Sequence, residues 1–187
     1  MELLDWYRLF TWLCLSAVGA LSFLWLLRIG AMVSARLLNV WQSVRRLLNA
    51  NGIALATLVA CVSTAGSLYL SEGGHLIPCR LCWYQRSMMY PFAIILIVAL
   101  IRREVSIRPY AITLALLGGA IALWHYLVEW FPSLEGVGGK CDIANPCSVR
   151  PLPLRFGFIS IPFMALTAFA LVATILWFGY PSKSVSK

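Results

Sequence analysis

Charge is what this sequence has least of. Only 12% of its 187 residues are Asp, Glu, Lys or Arg, while 61% are hydrophobic, which excludes an ordinary soluble domain. It has no internal repeat and no low-complexity segment, so neither a solenoid nor a disordered linker is encoded. The first apolar run follows Glu2, Asp5 and Arg8 and so lacks the basic start of a secretory signal peptide. Six cysteines do not suit a dense disulfide scaffold. The Cys-x-x-Cys pair is single, whereas a structural metal clip draws four ligands, usually from two such pairs. No motif marks haem, iron–sulfur or flavin binding. The net charge of +8 does not point to nucleic acid, because the cations flank apolar runs, as in a membrane protein in contact with lipid.

What is present is a series of apolar runs of about 20 residues, the length that crosses a ~30 Å hydrocarbon layer. The first is Leu9 to Leu27, read as a retained membrane helix in which Cys14 is a packing residue. From Arg28 to Leu48, apolar residues at helical spacing (Ile29, Val33, Leu37, Trp41, Val44, Leu48) alternate with Arg28, Arg36, Arg45 and Arg46. That pattern suits a helix lying on an anionic membrane surface or one packed on a bundle. Asn49-Ala50-Asn51-Gly52 reads as a break. The second span, Gly52 to about Leu70, is rich in small residues that allow close helix approach, with Cys61 mid-span as another packing residue. The third runs from Cys79 to Ile101 with an expected kink at Pro91. The fourth is Tyr110 to Trp130, and the last is Phe158 to Phe178 with Pro162 in its first turn. The expectation is an all-α membrane protein, a four-helix transmembrane bundle with an additional N-terminal transmembrane helix. Its divisions are an N-terminal extension at 1–50, the bundle at 51–180 and a tail at 181–187.

The chemistry-bearing stretch is Pro78-Cys79-Arg80-Leu81-Cys82-Trp83-Tyr84-Gln85-Arg86. On a helix at about 100° per residue, Cys79, Cys82 and Arg86 share one face. Two cysteines one turn apart come within disulfide reach, and a helix N-terminus and a guanidinium both lower thiol pKa. This pair is therefore expected to be redox-active. His75, in the loop before it, is expected to be solvated. His125 and Glu129 share a face of the fourth span; a histidine there is a functional candidate, with a packed, hydrogen-bonded histidine as the alternative.

The longest hydrophilic segment, 131–157, is broken by prolines and glycines and holds Cys141 and Cys147. Such a pair forms either a disulfide that swings or a static brace for the loop. With 28–46, 102–108 and the tail inside, nine of the fifteen Lys and Arg face the cytoplasm, led by the short connection carrying Arg102, Arg103 and Arg108. Both cysteine pairs then face the oxidising extracytoplasmic space, and the N-terminus lies outside. One mobile and one helix-bound pair on a single membrane face suggest a dithiol relay. A lipid-soluble quinone suits its exit, since the helix end is reachable from the bilayer.

Cys-Arg-Leu-Cys-Trp-Tyr-Gln-Arg entering an apolar helix, a later His-Tyr, and Phe-Gly-Phe-Ile-Ser-Ile-Pro after a second cysteine pair resemble the DsbB family, most closely its compact BdbC-like branch, over residues 52 to 178. The resemblance implies a multi-pass protein of the bacterial cytoplasmic membrane. It would reoxidise a soluble thioredoxin-fold, DsbA-like thiol oxidase and reduce ubiquinone or menaquinone. It implies that Cys141 receives the partner's attack, that Cys147 bridges to Cys79, and that the Cys82 thiolate meets the quinone. Arg86 and His125 then correspond to quinone-site residues, with no metal required. Two departures stand out: only five residues separate Cys141 from Cys147, and residues 1–50 lie outside the family pattern. Vitamin-K-epoxide-reductase-like oxidoreductases place the mobile pair before the fixed one, the reverse of this order. A cysteine-based metal-binding membrane protein and a tetraspanin-like structural protein are the readings from other classes.

Overall fold

A computed structural model describes residues 3–136, 141 and 145–180; the expected tail at 181–187, and positions 137–140 and 142–144 of the cysteine loop, lie outside the described residues. The chain folds as α1 (Leu3–Gly30), α2 (Ala35–Leu68), α3 (Arg80–Arg102), α4 (Arg108–Trp130) and α5 (Ile161–Phe178). All five are long and apolar enough to cross a membrane. The protein is an all-α, multi-pass membrane protein, as expected, with an isolated β-bridge between Arg155 and Ile159 in the segment before α5.

Helices α2 to α5 surround one core, built on Ala56, Ala60, Phe92, Leu96, Ala115, Ala122, Phe169 and Val172. The expected small-residue contacts are there: Ala56, Ala60 and Ala122 are fully buried, which lets the backbones approach. Gly118 is required, since a Cβ would stand 2.4 Å from the Phe169 ring. Thr57 answers its own burial by donating to the Ile53 carbonyl at 2.7 Å.

The break expected at Asn49–Gly52 is absent, and α2 runs unbroken through it. One glycine costs a helix ~1 kcal/mol, whereas each large apolar side chain buried nearby contributes about 1.5–3 kcal/mol. Trp41 and Leu48 are buried before the site, against Leu24 and Leu27 of α1, Ala31 just past its end, and Phe178 of α5. Ile53 and Ala56 are buried after it. The Asn51 amide donates to the Leu47 carbonyl within the helix. The basic segment therefore packs on the bundle through its apolar face.

Arg108 also departs from its expected place in a connecting loop. It is 1% exposed at the start of α4 and donates to the carbonyls of Asn49 and Gly179, joining the start of α4 to the middle of α2 and the end of α5. Pro91 lies inside α3, which continues to Arg102. Helix α5 begins at Ile161, three residues later than expected, because Phe156 and Gly157 take positive φ and turn the chain back on itself at the Arg155–Ile159 bridge.

Candidate functional site

Helix α3 starts one residue later than the cysteine spacing suggests. Cys79 is its N-cap, with extended backbone (φ −69°, ψ 171°), and its Sγ accepts the Cys82 backbone N–H at 3.3 Å. Sulfur thus takes the place of the usual capping oxygen and holds one of the orphan donors of the first turn. The Cys82 Sγ, one turn on, lies 2.9 Å from Cys79 Sγ in a thiol–thiol hydrogen bond. The two are free thiols in contact.

His125 of α4, 3% exposed, completes this corner. Its Nε2 lies 3.5 Å from Cys79 Sγ and 3.2 Å from the Cys147 carbonyl. Gln85 of α3 reaches its other nitrogen, with 3.0 Å between Gln85 Nε2 and His125 Nδ1. Donation by the Gln85 amide leaves the imidazole proton on Nε2, aimed at sulfur and carbonyl. The Cys82 thiol, then His125 and the Cys82 backbone N–H, hold the Cys79 thiol well below its ordinary range, against burial, which raises it.

The loop pair forms a disulfide, Cys141–Cys147, and it is docked. Cys147 is 1% exposed and clusters with Cys79 and Val128, with Cys82 and Cys141 packed beside them. Glu135, on the 3₁₀ turn Pro132–Gly136, accepts the Cys147 N–H and the Ser148 hydroxyl, both at 2.6 Å. Arg150 then brings the chain back to α4, donating to the Glu129 carbonyl at 2.6 Å and lying 3.9 Å from its carboxylate. Cys147 is therefore the inner sulfur, and Cys141, half-buried, is the outer one.

On the other side of Cys82 lies an apolar cavity of about 450 Å3 between α1, α2, the start of α3, and α5. Cys82, Gln85 and Arg86 line one end of it, beside Ser67 and Tyr90. Arg86 Nε donates to the Ser67 hydroxyl at 3.0 Å and its Nη2 to the Ser67 carbonyl at 2.9 Å; the guanidinium also stacks 5.4 Å from the Trp83 ring. Cys82 belongs to both regions. His125 does not line the cavity; it sits behind Gln85, on the thiol side.

The six site residues singled out from sequence converge on this end of the bundle: Cys79, Cys82, Arg86, His125 and Cys147, with Cys141 packed at its outer edge. Cys61 lies away from it in α2, Cys14 lines the cavity from α1 without meeting the other cysteines, and His75 is exposed. Gln85, Glu135 and Ser67 were missed. Gln85 stands inside the motif one position before Arg86, and the helical spacing that places Cys82 would have placed it. Glu135 and Ser67 carry no comparable signal, because only tertiary contact selects them.

Residues 49–180 match the family model described as disulfide bond formation protein DsbB. Disulfide bond formation protein C of Bacillus subtilis (strain 168) is 42% identical over 62% of this chain and 82% of its own length. A probable disulfide formation protein of Oceanobacillus iheyensis is 40% identical over 65% of this chain and 83% of its own. A probable disulfide formation protein of Coxiella burnetii is 35% identical over 74% of this chain and 94% of its own. No solved structure gives a significant match. Two free thiols in contact at a helix end, a disulfide docked on them and this similarity across the bundle lead to one conclusion: the chain belongs to the DsbB family of disulfide bond formation proteins.

Proposed function

We propose that this thiol oxidoreductase reoxidises a soluble, extracytoplasmic thioredoxin-fold thiol oxidase and passes the electrons to a membrane quinone, ubiquinone or menaquinone. The redox unit is residues 51–180, in the bacterial cytoplasmic membrane with both cysteine pairs facing out. The observation that carries this reading is the position of Cys82, which touches Cys79 on one side and lines the apolar cavity on the other.

The relay starts with the protein's two disulfides closed. A partner thiolate attacks Cys141, the outer sulfur; the Cys141–Cys147 bond breaks and the electron pair leaves on Cys147. Cys147, packed beside Cys79, attacks it and displaces Cys82 as thiolate. The partner's second thiolate releases the partner oxidised, and Cys141 then resolves the Cys147–Cys79 bond. The result is a closed loop disulfide beside a Cys79–Cys82 dithiol. His125 donates its Nε2 proton toward sulfur at each stage when Cys79 carries charge. Arg86 faces the developing Cys82 thiolate from the cavity side.

The cavity suits a quinone: its walls are apolar apart from the hydroxyls of Ser16, Ser63 and Thr167, and Arg86, Gln85, Ser67 and Tyr90 supply polar groups at the Cys82 end. A bound quinone supplies the acceptor for two electrons and two protons, after which Cys79 and Cys82 are again a disulfide. Of the two resemblance-based cofactor residues, Arg86 fits this side, whereas His125 is better assigned to the thiols.

A second reading has one observation in its favour. Cys79, Cys82 and His125 offer ligand atoms within 4.8 Å of one another, a possible soft-metal site. Purified protein given a reduced thioredoxin-fold oxidase should consume thiols only when ubiquinone or menaquinone is present, and should hold no stoichiometric zinc. Tight zinc with no quinone-dependent turnover would replace the relay with the metal reading. Mixed-disulfide capture of a single-cysteine partner should fall on Cys141, and an impermeant thiol reagent on reduced intact cells should label it.

A further inference from the structure

Helix α1 lies outside the family match, which begins at residue 49. It is nevertheless held against the bundle at both ends. Near its start, Tyr7 donates to the carbonyls of Pro153 and Ile159 at 3.1 and 3.3 Å. There Trp6 meets Tyr69, with 4.7 Å between ring centroids, and Phe10 covers Gly66, where a Cβ would lie 3.2 Å from the ring. Near its end, Leu24, Leu27 and Ala31 join Trp41, Leu48 and Phe178.

Between these anchors only one face of α1 packs. Thr11 and Cys14 are buried, and the Cys14 thiol reaches Thr167 of α5 at 3.8 Å. The neighbouring face, Phe10, Leu13, Ala17 and Ala20, lines the cavity that begins at Cys82. From Phe10 to Ala20 that face rises about 15 Å. Opposite it on α2 stand Leu58, Val62 and Gly66. Leu13, Leu58 and Val62 are also exposed, so the cavity opens sideways between α1 and α2. No charged residue lines it beyond Arg86 at the redox end.

We infer that α1 forms the outer wall of the quinone site, and that its small-residue stretch around Ala17 and Ala20 makes the channel that takes the quinone's isoprenoid tail. The inference rests on the quinone reading of the same cavity. The ring is fixed at Cys82 and Arg86, a long apolar substituent on that ring has to leave the redox end, and the α1–α2 cleft is the apolar continuation of the cavity that reaches the bilayer. The extension thereby selects long-tailed quinones over ring-only ones.

Two measurements on the full chain in liposomes test this. With both redox pairs oxidised and Cys61 replaced (Cys61→Ser), Cys14 is the one remaining thiol, and its alkylation by a small membrane-permeant maleimide reports on the wall directly. A long-chain ubiquinone or menaquinone should slow that alkylation several-fold. Separately, Ala17→Phe and Ala20→Phe should raise KM for the long-chain quinone about tenfold more than for a tail-free ring analogue, by overfilling the channel. Ala20 is exposed, so its variant keeps the test open if Ala17→Phe does not fold. A quinone that the protein reduces but that leaves Cys14 alkylation unchanged, or variants that shift both quinones equally, would overturn the wall and leave the quinone reading standing. Wild-type protein that reduces no quinone would remove both.

Discussion

The two cysteine pairs are spaced differently and held differently. Cys79 and Cys82 are one helical turn apart, fixed by a capping contact and backed by His125. Cys141 and Cys147 close a loop, with one sulfur buried against Cys79 and the other toward the outside. In the first pair the surroundings lower a pKa, which sets reactivity. In the second the surroundings are unequal across one bond, the asymmetry on which the proposed order of attack rests. The proposed relay draws on both kinds of control, each supplied by a different element.

The sharpest way to break this comparison is to remove the sulfurs. Cys79, Cys82, Cys141 and Cys147, each replaced by Ala, should abolish quinone-coupled oxidation of the partner, while Cys14→Ser and Cys61→Ser should retain it. Loss of turnover in a folded Cys61→Ser protein would show that the half-buried helix cysteine belongs to the relay.

Arg86 comes next. Arg86→Gln should slow the quinone step by roughly ten- to a hundredfold, the worth of a charge-assisted hydrogen bond of ~1.5–3 kcal/mol. Partner exchange with Cys141–Cys147 should hardly change. Arg86→Lys should recover only part, because it keeps the charge but not the fork that grips Ser67. Stopped-flow traces with and without quinone separate the two steps; equal slowing in both would move Arg86 into the thiol relay.

The smallest effect concerns His125. Because the Cys79 pKa is lowered, its thiolate persists below the ordinary thiol range and is lost only as pH falls through the lowered value. Iodoacetamide alkylation of Cys79 in the reduced protein, located by mass spectrometry, should therefore be fast at neutral pH. His125→Ala should move the midpoint of the pH profile upward by about one pH unit, for the loss of one hydrogen bond to the thiolate, so that the rate falls about tenfold below the midpoint and hardly at all at pH 7. Gln85→Leu should move it less. An unchanged profile in His125→Ala would return the histidine to a packing role.

Most of the site was legible in the sequence because its parts are local. Helical spacing puts Cys79, Cys82 and Arg86 together, and an intramembrane histidine announces itself by its cost. What escaped depends on contacts distant in sequence. Gly52 and the two asparagines before it have turn chemistry, yet burial of Trp41 and Leu48 on one side and Ile53 on the other overrides it. Arg108 counts as a topology signal in sequence but is spent on the carbonyls of two distant helices. The part of α1 in the cavity wall could not be read at all, since Ala17 and Ala20 look like any small residues in a membrane helix.

The uninterrupted α2 also acts as a ruler. Its 34 residues rise about 51 Å, against a hydrocarbon layer of ~30 Å. The 20 residues from Asn49 to Leu68 would fill that layer, leaving roughly 20 Å of rigid, arginine-bearing rod beyond it. Arg36, Arg45 and Arg46 resist being drawn into the lipid, so they fix the depth at which the helix rides. Because Ser67 near the far end of the same rod grips Arg86, that depth also fixes the height of Cys82 relative to the opposite bilayer surface. A thicker bilayer would submerge the thiols from their partner, and a thinner one would strand the cavity mouth in the headgroups, so the rate of disulfide formation becomes a function of membrane thickness.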